Sequence, residues 1–219
     1  MAKKKRERWT EIRSMDNVLE FTDFVSGNIE NPSGRWHEIF GNDDPLVLEL
    51  GCGRGDYTIK LSNQFPGKNY LGVDIKADRL WRGARKAARE DAGQVLFFRA
   101  RIEEVDQYFD ENEADEIWIT FPDPYPKRRH AKRRLTSPFF LQMYKRLLKP
   151  DGLVHLKTDC DILFRYTLDV LGKEQIQVVR VVADIYEEAP GDPELTISTR
   201  FEEIHRGKGK PIKYLSFSF

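Results

Sequence analysis

The chain has 219 residues, 40% of them hydrophobic, and balances 36 Lys and Arg against 36 Asp and Glu for a formal net charge of zero. That length suits one compact domain with a real core, and the charge balance excludes attraction to a polyanion through the overall field, leaving only local clustering. Cys52 and Cys160 stand apart with no zinc-like spacing, and no apolar stretch approaches bilayer length or the core of a secretory signal. The expectation is two reduced, buried cysteines, no metal site, no membrane span and a cytoplasmic location.

Residues 1–8 read as a basic, solvated tail, 16–24 carry a short amphipathic pattern, and 31–44 are rich in turn formers. Residues 1–44 are therefore expected to be an N-terminal extension, with the regular fold starting after Pro45 and a single domain over 45–219. From there apolar strand candidates alternate with helix candidates. Strand 46–50 leads to helix 56–65, strand 69–73 to the long helix 76–92, and then come strands 94–98 and 116–121. Helix 137–148, strand 153–156, helix 162–171 and strands 177–185 and 212–219 complete the series. Such alternation implies right-handed crossovers, hence an α/β fold whose mostly parallel twisted sheet carries helices on both faces.

The first of these strands runs into Glu49-Leu50-Gly51-Cys52-Gly53-Arg54-Gly55, where glycines let the backbone approach a ligand closely. The dinucleotide fingerprint needs glycine at position 56, which is Asp56, and a carboxylate at Glu49 suits a cationic ligand better than a diphosphate. Asp74 closes the next strand, placed either to accept the two hydroxyls of a ribose or to cap the following helix. That helix carries Lys76, Arg79, Arg82, Arg85, Lys86 and Arg89 on one face, a solvated surface or an RNA contact.

The segment 121–134 reads FPDPYPKRRHAKRR, a proline-stiffened turn followed by six Lys or Arg within the eight positions from Lys127 to Arg134. Each proline disfavours helical space for its predecessor, so Phe121, Asp123 and Tyr125 are predicted to be extended. The turn follows a strand, which places Asp123 where open α/β sheets bind ligands. Lys127, Arg128, Arg129, Lys132, Arg133 and Arg134 are candidate contacts to a phosphate backbone. His130 reads as a phosphate or structural contact, and His155 as a packed core residue.

Taken in order, Glu49-x-Gly51-x-Gly53-x-Gly55, Asp74 and the 121–134 segment resemble the tRNA (guanine-N7)-methyltransferases, a family of class I S-adenosylmethionine-dependent enzymes. Lys157-Thr158-Asp159 and Thr199-Arg200-Phe201-Glu202 are similar to family segments too, and the likeness spans residue 46 to the C-terminus. It implies a Rossmann-like class I methyltransferase fold with an antiparallel C-terminal strand. The implied activity is methyl transfer from S-adenosyl-L-methionine to N7 of the guanine at position 46 in the variable loop of tRNA. The resemblance puts Glu49, Gly51, Gly53, Gly55, Asp74 and Asp123 around the cofactor, and Lys127, Asp159, Thr199 and Glu202 on the substrate side, joined by Arg128 and Arg129. The chain departs from the family at Tyr125, where many relatives carry tryptophan, and at Arg101, which falls roughly where relatives tend to carry an acidic or amide residue near the adenine. Backbone groups of Arg101 and Ile102 are the expected adenine contacts.

Guanine N7 carries an unprotonated in-plane lone pair and needs no general base, so the chemistry asks for alignment more than activation. Asp123 is the expected catalytic residue, accepting from guanine N1–H and the exocyclic amine, with Asp159 able to fill the same role. A class I methyltransferase with another substrate and a non-catalytic RNA-binding module are the alternatives; Asp56 and Glu49 disfavour a nicotinamide dehydrogenase. Monomer and homodimer both remain open.

Overall fold

The computed structural model describes residues 2–27, 29–206 and 209–219. Helix α1 (Ala2–Glu11) and a 3-10 turn lead to strand β1 (Val18–Glu20), helix α2 (Phe21–Val25) and helix α3 (Trp36–Phe40). The alternating body follows as β2 (Leu46–Leu50), α4 (Asp56–Gln64), β3 (Asn69–Asp74), α5 (Ala77–Arg89), β4 (Val95–Arg99), a 3-10 helix (Ile102–Tyr108) and β5 (Ala114–Thr120). After a second 3-10 helix (Arg128–Arg133) come α6 (Pro138–Leu147), β6 (Leu148–Thr158), α7 (Asp161–Lys173), β7 (Gln177–Val182), α8 (Ile185–Glu188), α9 (Arg200–Arg206) and β8 (Lys213–Ser218).

The eight strands of the described residues join one sheet in the order β1-β4-β3-β2-β5-β6-β8-β7. The pairs from β1 through β6 are parallel, and β8 runs antiparallel between β6 and β7. Every residue of β2 is buried because helices cover both faces, and side-chain alternation sorts its residues between two cores. Leu48 and Leu50 join Ile117, Ile119 and residues of α6 and α7, while Val47 joins Trp118, Phe97 and residues of α4 and α5. The chain winds outward from β2 in one direction through β3 and β4, then returns to place β5 on the other side. Between the carboxyl ends of β2 and β5 the connections diverge, which opens a crevice there.

Two sequence expectations about the N-terminal region change. The sheet starts before Pro45, because β1 pairs in parallel with β4, and Phe24, Trp36 and Phe40 are buried in the core. Trp36 stacks on Phe109 with ring centroids 5.0 Å apart and donates its indole N–H to the Tyr108 carbonyl at 2.9 Å. A strand of three residues is too short to show a period of two. The basic tail is helical as α1 and lies along α5 through polar contacts instead of an apolar stripe. Arg8 pairs with Asp78 and sits 4.7 Å from the Trp81 ring centroid, and Arg85 lies 4.9 Å from the same ring on α5.

Candidate active site

The crevice at the ends of β2 and β5 holds a cavity of about 390 Å³ lined by Glu49, Gly51, Gly53, Arg79, Thr120 and Phe121 among others. Its floor is the glycine-rich turn. Gly51, Gly53 and Gly55 have φ of +80°, +59° and +62°, a left-handed path that side-chain-bearing residues resist. The N–H groups of Gly51 and Cys52 both bond the Val73 carbonyl, at 2.8 and 3.1 Å, so the turn is tied to the end of β3. At Gly55, which precedes α4, a Cβ would lie 2.3 Å from Phe97, and this glycine sets the packing distance between α4 and the sheet.

Glu49 is buried under the turn. Its Oε1 accepts from Thr120 Oγ1 at 2.6 Å, and its Oε2 accepts from the Thr58 N–H at 3.0 Å and from the Thr58 hydroxyl. Burial pushes its carboxyl up to about 7, only partly offset by the two threonines. A cation beside such a carboxyl favours its ionised form. Asp74 receives the Gly53 N–H on Oδ2 at 3.0 Å and the Lys76 N–H on Oδ1 at 2.7 Å. It therefore closes a tight turn ahead of α5 and braces the glycine loop, while each oxygen retains a second lone pair for a hydroxyl. Burial raises its carboxyl as well.

Ile102 approaches the same turn, its Cδ1 3.7 Å from where a Cβ on Gly51 would sit, whereas Arg101 is exposed at the start of the 3-10 helix. The cationic face of α5 is largely neutralised within the protein. Arg82, Arg85, Lys86 and Arg89 pair with Asp78, Glu11, Asp56 and Glu90 respectively, and Arg79 lines the cavity.

A second hollow, about 490 Å³, adjoins the first and is lined by Asp123, Asp159, Pro122, Pro124 and Lys213. Phe121 and Phe201 line both, with ring centroids 5.3 Å apart, and stand where the two meet. Asp123 is exposed and faces this second hollow alongside Asp159; it is not among the residues lining the glycine cavity. The structure thus brings the two candidate acids together in the second hollow, while Glu49 lies in the first.

The proline turn differs from the extended path expected at two of its three pre-proline positions. Phe121 and Tyr125 have φ of +47° and +40°, strained values that local sequence rules disfavour by about 1 kcal/mol or more each. Tertiary contacts impose them. The Phe121 N–H bonds the Lys157 carbonyl at 2.8 Å, and the Arg134 guanidinium bonds the carbonyls of Pro124 and Tyr125 at 3.0 and 2.9 Å. Arg134, expected on the phosphate-binding surface, is only 4% exposed and lies 4.2 Å from the Tyr166 ring centroid, so it is the peg of this loop. Lys127, Arg128, Arg129, Lys132 and Arg133 are all exposed.

Thr199 and Glu202 serve α9 itself. The Glu202 N–H bonds Thr199 Oγ1 at 3.0 Å and the Thr199 N–H bonds Glu202 Oε2 at 3.3 Å, the reciprocal arrangement of a capping box. Glu202 has no exposed surface, which sets it apart from its expected place facing a substrate; Thr199 lines the glycine cavity. His155 is a core residue, stacked on Trp118 at 4.0 Å, bonded to the Tyr214 hydroxyl at 2.8 Å and lowered to about 4 by burial. Cys52 is buried, Cys160 half-buried, and both are free thiols. Sequence reasoning gave no role to Thr58, Thr120 or Phe201, whose contacts with Glu49 and Phe121 come from distant parts of the chain. No helix among the described residues is long and apolar enough to cross a membrane.

A family model described as a putative methyltransferase matches residues 43–215. A tRNA (guanine-N(7)-)-methyltransferase of Christiangramia forsetii is 43% identical over 219 residues, covering 99% of this chain and 98% of that protein. Proteins of the same name from Bacteroides thetaiotaomicron and Listeria monocytogenes are 41% and 35% identical, covering 99% and 93% of this chain and 86% and 94% of their own lengths. Among solved structures, the 16S rRNA methyltransferase KamB aligns with a TM-score of 0.64 at 14% identity, covering 86% of this chain and 94% of that one, a likeness of fold alone.

Proposed function

The chain belongs to the tRNA (guanine-N7)-methyltransferase family, and from that membership we propose that it transfers a methyl group from S-adenosylmethionine to N7 of the guanine at position 46 in the variable loop of tRNA, in the cytoplasm. The observation that carries the reading is the pairing of two adjoining hollows, one built around a poised buried carboxyl and a glycine turn, the other around two acids beside an exposed cationic segment.

The first hollow fits the cofactor by its donor set. Glu49 supplies negative charge for a cationic ligand, the glycines leave backbone close to the ligand without a Cβ, and Asp74, which braces the turn from outside the residues lining the hollow, has lone pairs for two ribose hydroxyls. S-adenosylmethionine supplies an electrophilic methyl on a sulfonium when bound. The protein's part is alignment and electrostatics. Asp123 and Asp159 accept from the N1–H and amine edge of guanine, which selects guanine over adenine and leaves the N7 lone pair free. Positive charge develops on the purine during transfer, and carboxylates nearer the purine than the donor atom favour that state. At an effective dielectric near 20, a pair about 4 Å apart interacts by roughly 4 kcal/mol, and only the difference between the two charge positions lowers the barrier. Phe121 and Phe201 exclude water where the hollows meet. Lys127, Arg128 and Arg129 hold phosphates and fix register without reading sequence.

The direct test incubates the protein with unmodified tRNA and methyl-labelled cofactor, digests the RNA and identifies the labelled nucleoside. Label in 7-methylguanosine from the variable loop is expected, and Asp123→Asn should keep cofactor affinity while losing most turnover. Label in another nucleoside, or cofactor binding with no transfer to tRNA, defeats the assignment.

A further inference from the structure

Lys157 has no exposed side-chain surface and lines neither hollow, yet it touches the parts that shape both. Its ammonium donates to the Ile197 carbonyl at 2.7 Å and to Glu202 Oε2 at 2.9 Å, with the Tyr57 and Phe121 ring centroids at 5.4 and 6.0 Å. Its backbone carbonyl accepts the Phe121 N–H that turns the proline loop inward. Glu202, at the other end of the ion pair, takes the Tyr186 hydroxyl on Oε1 at 2.8 Å and caps the first turn of α9 through Thr199. Both carboxylate oxygens are thus committed inside the protein. A fully buried ion pair adds little stability over an apolar pair of the same volume, so stability alone does not account for it.

We propose that Lys157 is a positioning residue for methyl transfer: through Glu202 and Phe121 it holds α9 and the proline loop together, so that Phe201 and Phe121 frame the junction through which the cofactor and guanine hollows meet. Glu202 then acts on α9, not on the RNA. The inference rests on the methyltransferase reading above and adds a residue to it.

Lys157→Met leaves Glu202 as a buried carboxylate without its cation, and neutralising Glu202 relieves it. With tRNA and cofactor saturating, kcat of Lys157→Met should fall roughly a hundredfold, the scale on which small misplacements act. Lys157→Met/Glu202→Gln should recover at least about tenfold over the single variant. Tyr186→Phe, which leaves the ion pair in place, should fold normally and lower kcat by about threefold with the cofactor dissociation constant unchanged. Full kcat in Lys157→Met, or a deficit unrelieved by the second substitution, overturns the proposal. Should Lys157→Met not fold, wild-type kcat in Tyr186→Phe overturns it. A wild-type protein that transfers no methyl group to tRNA in the same assay defeats the functional reading instead.

Discussion

Gly83 lies in the interior of α5, where glycine is about 1 kcal/mol less favourable than alanine, so propensity alone predicts that Gly83→Ala stabilises the protein. The surroundings reverse the sign. A Cβ on residue 83 would lie 2.5 Å from the Arg54 carbonyl oxygen and 3.0 Å from both the Arg54 carbonyl carbon and Phe97 Cζ. The nearest obstacle is backbone of the glycine turn, which cannot rotate away as a side-chain tip would, so α5 and the turn must separate by roughly 0.5–1 Å. Overpacking of this kind costs about 1–3 kcal/mol, which leaves a net loss of up to about 2 kcal/mol after the propensity gain. For a protein of this size each kcal/mol corresponds to roughly 2–4 °C in Tm. Arg54 sits between Gly53 and Gly55, so the displacement also disturbs the Gly53 N–H contact with Asp74, and cofactor affinity should fall by about tenfold, equivalent to ~1.4 kcal/mol. Thermal melts with and without S-adenosylmethionine, together with calorimetric titration, read both effects. A higher Tm with unchanged cofactor affinity would refute the reasoning.

Three other outcomes follow from the geometry. Burial raises Glu49 from 4.5 to about 7, so its contribution to the stability of the cofactor-free protein is full below pH 4.5 and lost as pH rises through 7; His155, lowered from 6.5 to about 4, contributes fully above pH 6.5 and loses that as pH falls toward 4. Their slopes oppose between pH 4.5 and 6.5, so Glu49→Gln should expose an acid loss of up to about 1.4 kcal/mol per pH unit and His155→Gln the reverse trend. Denaturant titrations across that window check this, and wild-type profiles in both variants would contradict it. Arg134→Ala should destabilise by about 2–3 kcal/mol and lower kcat while leaving the salt dependence of tRNA binding alone, since its guanidinium holds loop carbonyls. Lys127→Gln/Arg128→Gln should instead leave Tm unchanged and lower the slope of log affinity against log salt by roughly 1.4–1.8; a changed slope in Arg134→Ala, or an unchanged one in the double variant, would reverse these assignments.

The strands that build the crevice were readable because burial on both faces turns β2 and the end of β5 into short apolar runs, and the glycines after β2 sit at a fixed offset from Glu49. Helices α5 and α7 showed their period over several turns. Where the reading failed, distant contacts overrode local rules. Pre-proline preference placed Phe121 and Tyr125 in extended space, but Lys157, on another strand, and Arg134, beyond the loop, bond the backbone into another conformation. Residue type gave no hint that Arg134 turns inward while its neighbour Arg133 faces out, since both belong to one basic run. Glu202 posed the same difficulty: the capping box it forms with Thr199 was not read from the sequence, and the cation that completes its burial lies on β6, 45 residues earlier. Strand β1 escaped notice because three residues show no alternation, and it is held by β4 instead of by its own pattern.

The position of β8 between β6 and β7 has a consequence for how the molecule assembles during synthesis. Among the described residues, β7 has no hydrogen-bonded neighbour strand except β8, and the flank of β6 away from β5 is also covered only by β8. Until Lys213–Ser218 emerges, both open edges are exposed to pairing with other chains, and Lys213 is missing from the hollow it lines beside Asp159. A nascent chain halted short of that strand carries the glycine turn complete but leaves the guanine side unfinished, and it is the species most exposed to aggregation.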